Sequence, residues 1–461
     1  MTGRQGRHRG LHLVLRGLGA LLGGTLMASL LSLLTQTFLA RSLTAVEYGQ
    51  LAAILTVANL LSSVACAGVN WLLLQIFGDE GRQAYRWTPA LGRLLALSGA
   101  FATVLLGAYT LVGSSVSGQA QWLAFLAGLA IVAGQAAVDL GSARLQLERR
   151  YGALSLWQAA TQALRLLLLC LMVLPRDAPP SLEEVLLLYG LTGMAVAAAG
   201  AWLLRPLWSA SLALPPDGPA SPLVDRTAPS LVSVAKLAMP FALMTVFYVL
   251  YFQWAVVLLD WQVGGAAAAS YSAALLLIAA ASMLPQVVYM KFLTPIICRW
   301  AVHDRARFGA VFHLGVIAML ATGVAGMLVL GLGSPILIPL LFGDGLPDAV
   351  MVLSILSLAL PIRFVHASFS ATFVSPAEVA QKVGYLGWAA LCGILANLAL
   401  VPVLGLAGAP IAAVLSEAVL LALHVRGMHR LIHGVSIRAT FRPATSVSSL
   451  RLLMEHGRHA D

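Results

Sequence analysis

The chain has 461 residues, 60% of them apolar and 10% charged, with a mean hydropathy of +0.89. Soluble domains carry roughly 25% charged and about 45–50% apolar residues, so the composition excludes an ordinary cytosolic or secreted protein, a collagen and a disordered chain. What remains is a polytopic membrane protein, whose formal charge of +10 has to be read from its distribution along the chain and not from its sum.

The apolar runs are continuous over ~20 residues, the length of a membrane-crossing helix, and lack the ten-residue alternation of barrel strands. The first 17 residues, MTGRQGRHRGLHLVLRG, are basic. The apolar stretch that follows is too long for a signal peptide and has no small-residue cleavage site, so it is read as a retained anchor with a cytoplasmic start. Helices are expected over 18–40, 49–76, 89–112, 121–141, 153–174 and 182–204. The proline-rich segment 205–236 then reads as a cytoplasmic linker. Six more helices are expected over 237–260, 267–292, 309–333, 348–370, 383–402 and 409–430, and the basic tail 431–461 follows. This gives an all-α protein of about twelve transmembrane helices, with an N-terminal lobe over 18–204 and a C-terminal lobe over 237–430.

Lys and Arg are retained on the cytoplasmic side during insertion. With the first residue inside, 24 of the 28 basic residues fall on that side, only Arg41 and Arg176 fall opposite, and Arg165 and Arg363 lie within spans. The asymmetry predicts both termini in the cytoplasm and makes most of the positive charge a matter of topology, with no nucleic-acid partner. Shifting the chain by 223 positions lays Tyr48 on Tyr271, Ala58 on Ala281, Leu61 on Leu284 and Val64 on Val287, consistent with two parallel halves. Cys66, Cys170, Cys298 and Cys392 all lie in apolar runs without CxxC spacing, so neither a metal site nor a disulfide framework is expected. Trp71, Trp87, Trp122, Trp261 and Trp300 fall near span ends, where an aromatic belt is the default reading. There is no GxxxxGK[ST] loop for ATP.

The segment LARSLTAVEYGQLAAILTVANLLSSVACAGV, with Arg41, Glu47, Tyr48 and Gly49, resembles the opening of the bacterial polysaccharide flippases. So do MPFALMTVFYVLYFQWAVVLLDWQVGGAAAASYSAAL, with Asp260 and Tyr271, and the later segments PILIPLLFGDGLPDAV and VPVLGLAGAPIAAVLSEAV. The resemblance covers nearly the whole chain in the expected order, within a superfamily that also exports drugs and peptidoglycan precursors. It implies two six-helix lobes around a central cavity and alternating access. The implied task is moving a polyprenyl-diphosphate-linked oligosaccharide from the inner to the outer leaflet of a bacterial cytoplasmic membrane. No cofactor is expected, and without an ATP loop the energy would come from an ion gradient (proton or sodium), the substrate gradient or downstream consumption; the partners implied are a lipid-linked glycan, membrane lipid, and the polymerase or glycosyltransferases of the same pathway.

A diphosphate and sugar hydroxyls cannot cross ~30 Å of hydrocarbon unaided, so the protein must supply a polar path. Arg165 lies at the middle of its span, where a charge costs about 2.5–3.5 kcal/mol, and Gln158 and Gln162 share its helical face. Arg363 follows Pro361, with His366 three residues on, and Arg41 ends the first span. These five residues, Arg165, Arg363, Arg41, Gln162 and Gln158, are the candidate substrate contacts; the alternative for each is an ion pair, a hydrogen bond between helices, or snorkelling. Glu417 is the most deeply placed carboxylate, a partner for Arg165 or an ion-coupling group. Asp139 and Asp260 are further coupling candidates, near span ends where hydration is the simpler reading. A cation-coupled multidrug exporter is the competing transport reading. A membrane glycosyltransferase or polymerase would need a sizeable outer loop or a carboxylate cluster, so no enzyme is expected, and a non-transporting cell-wall scaffold is the remaining alternative.

Overall fold

The computed structural model describes residues 23–175, 178–214, 227–287, 305–371 and 376–431. The basic N-terminus 1–17, Arg176, Cys298, Trp300 and nearly all of the tail lie outside the described residues. The protein is an all-α polytopic membrane protein. Its helices are α1 (Gly23–Ser42), α2 (Ala45–Cys66), α3 (Val69–Glu80), α4 (Thr88–Ala108), α5 (Gln119–Leu147), α6 (Tyr151–Val173), α7 (Leu182–Trp208) and α8 (Leu231–Gln262). They continue with α9 (Gly265–Val287), α10 (Arg305–Phe342), α11 (Asp348–Ser357), α12 (Ala359–Ser370), α13 (Pro376–Leu404) and α14 (Gly408–Leu431). Among the described residues, ten helical stretches are long and apolar enough to cross a membrane. Outward-facing apolar side chains such as Val104, Leu156 and Leu332 need lipid around them.

Helix ends follow local chemistry. Thr44 and Glu47 form a reciprocal capping box at the start of α2: the Thr44 backbone N–H donates to Glu47 Oε2 (3.1 Å), and the Glu47 N–H donates to Thr44 Oγ1 (3.3 Å). Ser181 and Glu184 repeat the device at α7. Glu47 Oε1 also accepts from the Leu182 N–H (3.4 Å), so one carboxylate serves the first turns of two helices. The expected helix 49–76 is interrupted at Ala67 and Gly68, both left-handed, and Gly68 cannot be replaced cheaply because a Cβ would meet Ala238 O at 2.6 Å.

Prolines do not stop α10, which was expected to end at 333 and runs to Phe342 through Pro335 and Pro339. Pro335 has no N–H to give the carbonyl of Gly331, four residues back. The Ser334 hydroxyl (2.9 Å) and the Ser354 hydroxyl of α11 (3.3 Å) donate to that carbonyl instead, which satisfies the freed oxygen without ending the helix.

The chain divides into two compact units, 1–249 with 264–269, and 250–263 with 270–461. In the first unit α5 and α7 pack backbone to backbone through small residues. A Cβ on Gly134 would meet Gly193 O at 2.8 Å, and one on Gly193 would meet Ala130 O at 2.6 Å. Gly134→Leu should therefore destabilise the protein by about 1–3 kcal/mol, the usual cost of overpacking. Thermal unfolding in detergent checks this, and an unchanged midpoint would mean that the helices can separate freely. A second cluster joins Leu72, Leu73 and Phe77 of α3 to Trp87, Leu91, Leu204, Leu212, Val234 and Ala238. Trp87 is thus buried and donates to Glu80 Oε2 (3.0 Å), a correction to its expected place in an aromatic belt; Trp71, Trp122 and Trp261 are exposed. Arg86 pairs with Glu80 (2.8 Å), and Arg144 with Glu148 (3.1 Å). Leu212 and Thr227, which follow α7, are held here too, by the Leu212 N–H on the Tyr85 hydroxyl (2.8 Å) and by Arg86 Nη1 on Thr227 O (3.4 Å). In the second unit, Phe312 and Val316 of α10 pack against Val365 and Phe369 of α12 and Met428 of α14. Tyr48 and Tyr271, aligned by the 223-residue shift, are each only 1% exposed.

Candidate functional sites within the two units

In the first unit Arg165 is half-buried on α6, and its guanidinium carbon stands 5.3 Å from the ring centre of Tyr189 on α7. The contact is a cation–π interaction, which stabilises a buried cation without neutralising it. Arg165 Nε has no hydrogen-bond partner, and no carboxylate pairs with this residue among the described residues. Gln158 lies on the same face and reaches Ser142 Oγ at 3.5 Å, while Gln162 is half-buried one turn before Arg165. Asp139 is half-buried on α5, with Gln135 Nε2 3.5 Å from its Oδ1. Arg41 is exposed at the end of α1.

In the second unit Arg363 of α12 and Glu417 of α14 form an ion pair, Nη1 to Oε1 at 3.6 Å, with exposures of 7% and 4%. The Arg363 guanidinium also sits 4.3 Å from the ring centre of Phe252 on α8. Tyr251, the neighbouring residue on α8, hydrogen-bonds the Glu417 carboxylate, and Tyr271 of α9 lies close to both charges. Glu417 Oε2 has no hydrogen-bond partner among the described residues. Within this unit the cation beside Glu417 is Arg363. The expectation that Asp260 is hydrated is corrected, since it is 4% exposed.

Toward the end of the same helix pair, His366 of α12 and His424 of α14 meet edge to face at 4.4 Å between ring centres, and Tyr385 of α13 stands 5.2 Å from His424. Lys382 Nζ donates to the carbonyl of Ser370 (3.2 Å).

Sequence reasoning selected both arginines and Glu417 as charges within spans, with snorkelling or an ion pair as the alternatives, but it did not select their aromatic supports. Tyr251 and Phe252 belong to the aromatic run YVLYFQW, and His424 lies seven residues after Glu417 on one face of α14; those were the available signals.

The family model for a polysaccharide biosynthesis protein matches residues 14–300. No protein of curated function matches the sequence. The fold is similar to the inward-facing structure of a multidrug resistance MATE family transporter of the MOP superfamily, with a TM-score of 0.66 and 13% identity, covering 88% of this chain and 94% of that one. It is also similar to the lipid II flippase MurJ in an inward closed conformation, with a TM-score of 0.65 and 11% identity over 94% of this chain and 90% of the other. A MOP superfamily transporter from Pyrococcus furiosus, whose binding pocket is described as reversed in polarity, matches with a TM-score of 0.53 and 14% identity over 91% and 95%.

Proposed function

The chain belongs to the polysaccharide biosynthesis protein family and so to the MOP superfamily of transporters, and from that premise we propose that it flips a polyprenyl-diphosphate-linked oligosaccharide by alternating access. The observation that carries this reading is Arg165, a mid-helix guanidinium held on an aromatic face and without a carboxylate partner among the described residues. An unpaired cation at that depth is a poor receptor for a cationic drug and a good one for a diphosphate, which it can grip in bidentate fashion. Gln158 and Gln162 supply amide contacts on the same helical face. Arg363 is the second diphosphate candidate and becomes available when Glu417 releases it; Glu417 is thus the coupling group, with Asp139 and Asp260 as further candidates and a proton or sodium gradient as the driving force. Arg41 remains a candidate for contact at the mouth of the path.

Twelve spans in two six-helix lobes fit the helix lengths. The helical stretches Ala45–Gly113 and Ala380–Met428 hold 69 and 49 residues. At 1.5 Å per residue each is too long for one crossing of ~30 Å, so each counts as two spans, turning at Gly81–Trp87 and Gly405–Ala407. With both termini in the cytoplasm, the basic residues of the Gly81–Trp87 turn and of α5's end lie on the cytoplasmic face of a bacterial inner membrane. There the transporter would receive its lipid-linked glycan from glycosyltransferases and deliver it to a polymerase.

Leaflet exposure of a fluorescent polyprenyl-diphosphate oligosaccharide in proteoliposomes tests the reading. The wild-type protein should move the probe, Arg165→Ala should reduce the rate by at least about tenfold, and Arg165→Lys should recover only part of it because a lysine cannot make the bidentate contact. Expulsion of a cationic dye under an ion gradient, with no movement of the glycolipid, would replace this reading with the drug exporter.

A further inference from the structure

The Arg363–Glu417 pair is not the end of the polar seam between α12 and α14. Three residues after Arg363 stands His366, and seven after Glu417 stands His424, so both imidazoles continue the faces that carry the ion pair. Their ring centres are 4.4 Å apart. His424 Nδ1 lies 3.0 Å from the carbonyl of Leu420, whereas His366 Nε2 is buried with no hydrogen-bond partner among the described residues. A buried imidazole nitrogen without a partner is uncommon and calls for a physical reason.

We propose that His366 and His424 hold one proton between them, on one ring at a time, and form the proton-loading site of this transporter. This rests on the transport reading above and names the coupling ion that it left open. Two imidazolium ions at this separation would repel strongly in a medium of low dielectric, so the pair holds one charge and not two. The proton comes from water on one side, forms an N–H bond through an imidazole lone pair, and returns to water on the other side when that bond breaks. No cavity is needed for a ligand of this size. The groups facing the pair are Arg363 on α12 and Lys382 and Tyr385 on α13; Glu417, with Tyr251 and Tyr271, lies further along the seam at the ion pair. A charge placed among them gives Glu417 a second cation on the same seam. That competition loosens Arg363 and couples proton uptake to the release of a guanidinium.

The test has two arms on the full chain. In the first, imidazole-labelled protein in lipid nanodiscs is titrated by NMR as wild type, His366→Gln and His424→Gln. Removing either ring should move the other's titration midpoint by about one pH unit or more, the signature of coupled sites. Two midpoints that ignore each other would overturn the proposal, and because the wild-type spectrum alone must show both rings responding to the same protonation step, a variant that fails to fold does not rescue it. In the second arm, glycolipid flipping is measured with and without a pH gradient. The wild type should be accelerated by the gradient, and both glutamine variants should keep flipping without that acceleration. Flipping that ignores the gradient overturns the proton-loading site while leaving the flippase reading intact. A wild type that moves no glycolipid, with coupled midpoints still present in the first arm, overturns the flippase reading instead.

Discussion

Arg363→Ala should destabilise this protein more than replacing both members of the ion pair together, as in Arg363→Met with Glu417→Leu. The pair is buried at 7% and 4% exposure. Removing one partner leaves an uncompensated charge, which typically costs about 3–5 kcal/mol, whereas apolar residues of similar volume in both places are often neutral or stabilising. Arg363→Ala also strips the cation from the face of Phe252, and among the described residues it leaves Glu417 the hydrogen bond from Tyr251. Thermal unfolding of the three proteins in the same detergent should therefore rank the wild type and the double variant close together and the single variant well below. A double variant as unstable as the single one would mean that the pair is a net stabiliser of the fold. Both altered proteins should lose glycolipid flipping, because neither has a guanidinium to release.

The second large effect is expected at Gly49. The first turn of α2 meets the start of α9 so closely that a Cβ on Gly49 would fall on the carbonyl of Gly265, and a Cβ on Gly265 would meet the carbonyl of Val46 at 2.5 Å. Backbone cannot step aside as a side chain can, so Gly49→Ala should cost about 1–3 kcal/mol despite the better helix propensity of alanine. Gly99 on α4 is the internal control, since nothing lies within 4 Å of a Cβ there. Gly99→Ala should raise stability by a few tenths up to about 1 kcal/mol, through propensity alone. Opposite signs for one substitution at two helical glycines are what unfolding midpoints should give; equal signs would refute the close approach of α2 and α9.

These two sites mark what could be read from the sequence. The apolar runs located the helices well, because burying twenty apolar residues in lipid leaves the chain few options. Segment ends were less legible where membrane chemistry departs from the rules for soluble helices: prolines 335 and 339 signalled a stop, and two serine hydroxyls, one from another helix, removed the need for it. Glu47, Tyr48 and Gly49 were noticed as a family resemblance, although Thr44 and Glu47 already carried the three-residue spacing of a capping box. Their physical roles are a cap, a buried ring and a close backbone contact. Arg363 and Glu417 were each legible as deep charges, but their partnership was not. They lie 54 positions apart on helices that are almost uniformly apolar, where an amphipathic pattern has little to report. The aromatic rings that hold both arginines were hidden for the same reason.

The packing of α8 decides where this protein can be cut. Its first turns carry Val234 and Ala238 into the cluster built by α3 and α4, and the opening of α9 supplies the backbone against which Gly49 rests. A fragment ending in the proline-rich segment near residue 230 would thus emerge with its own core open, even though the sequence there has every mark of a tether. Because chains are made from the N-terminus onward, the first compact unit cannot close until synthesis has reached residue 269. Complementary fragments meant to reassemble in a membrane should accordingly share α8, with the first piece carried through that residue. Chimaeras that exchange halves with a relative should move both ends of that helix together.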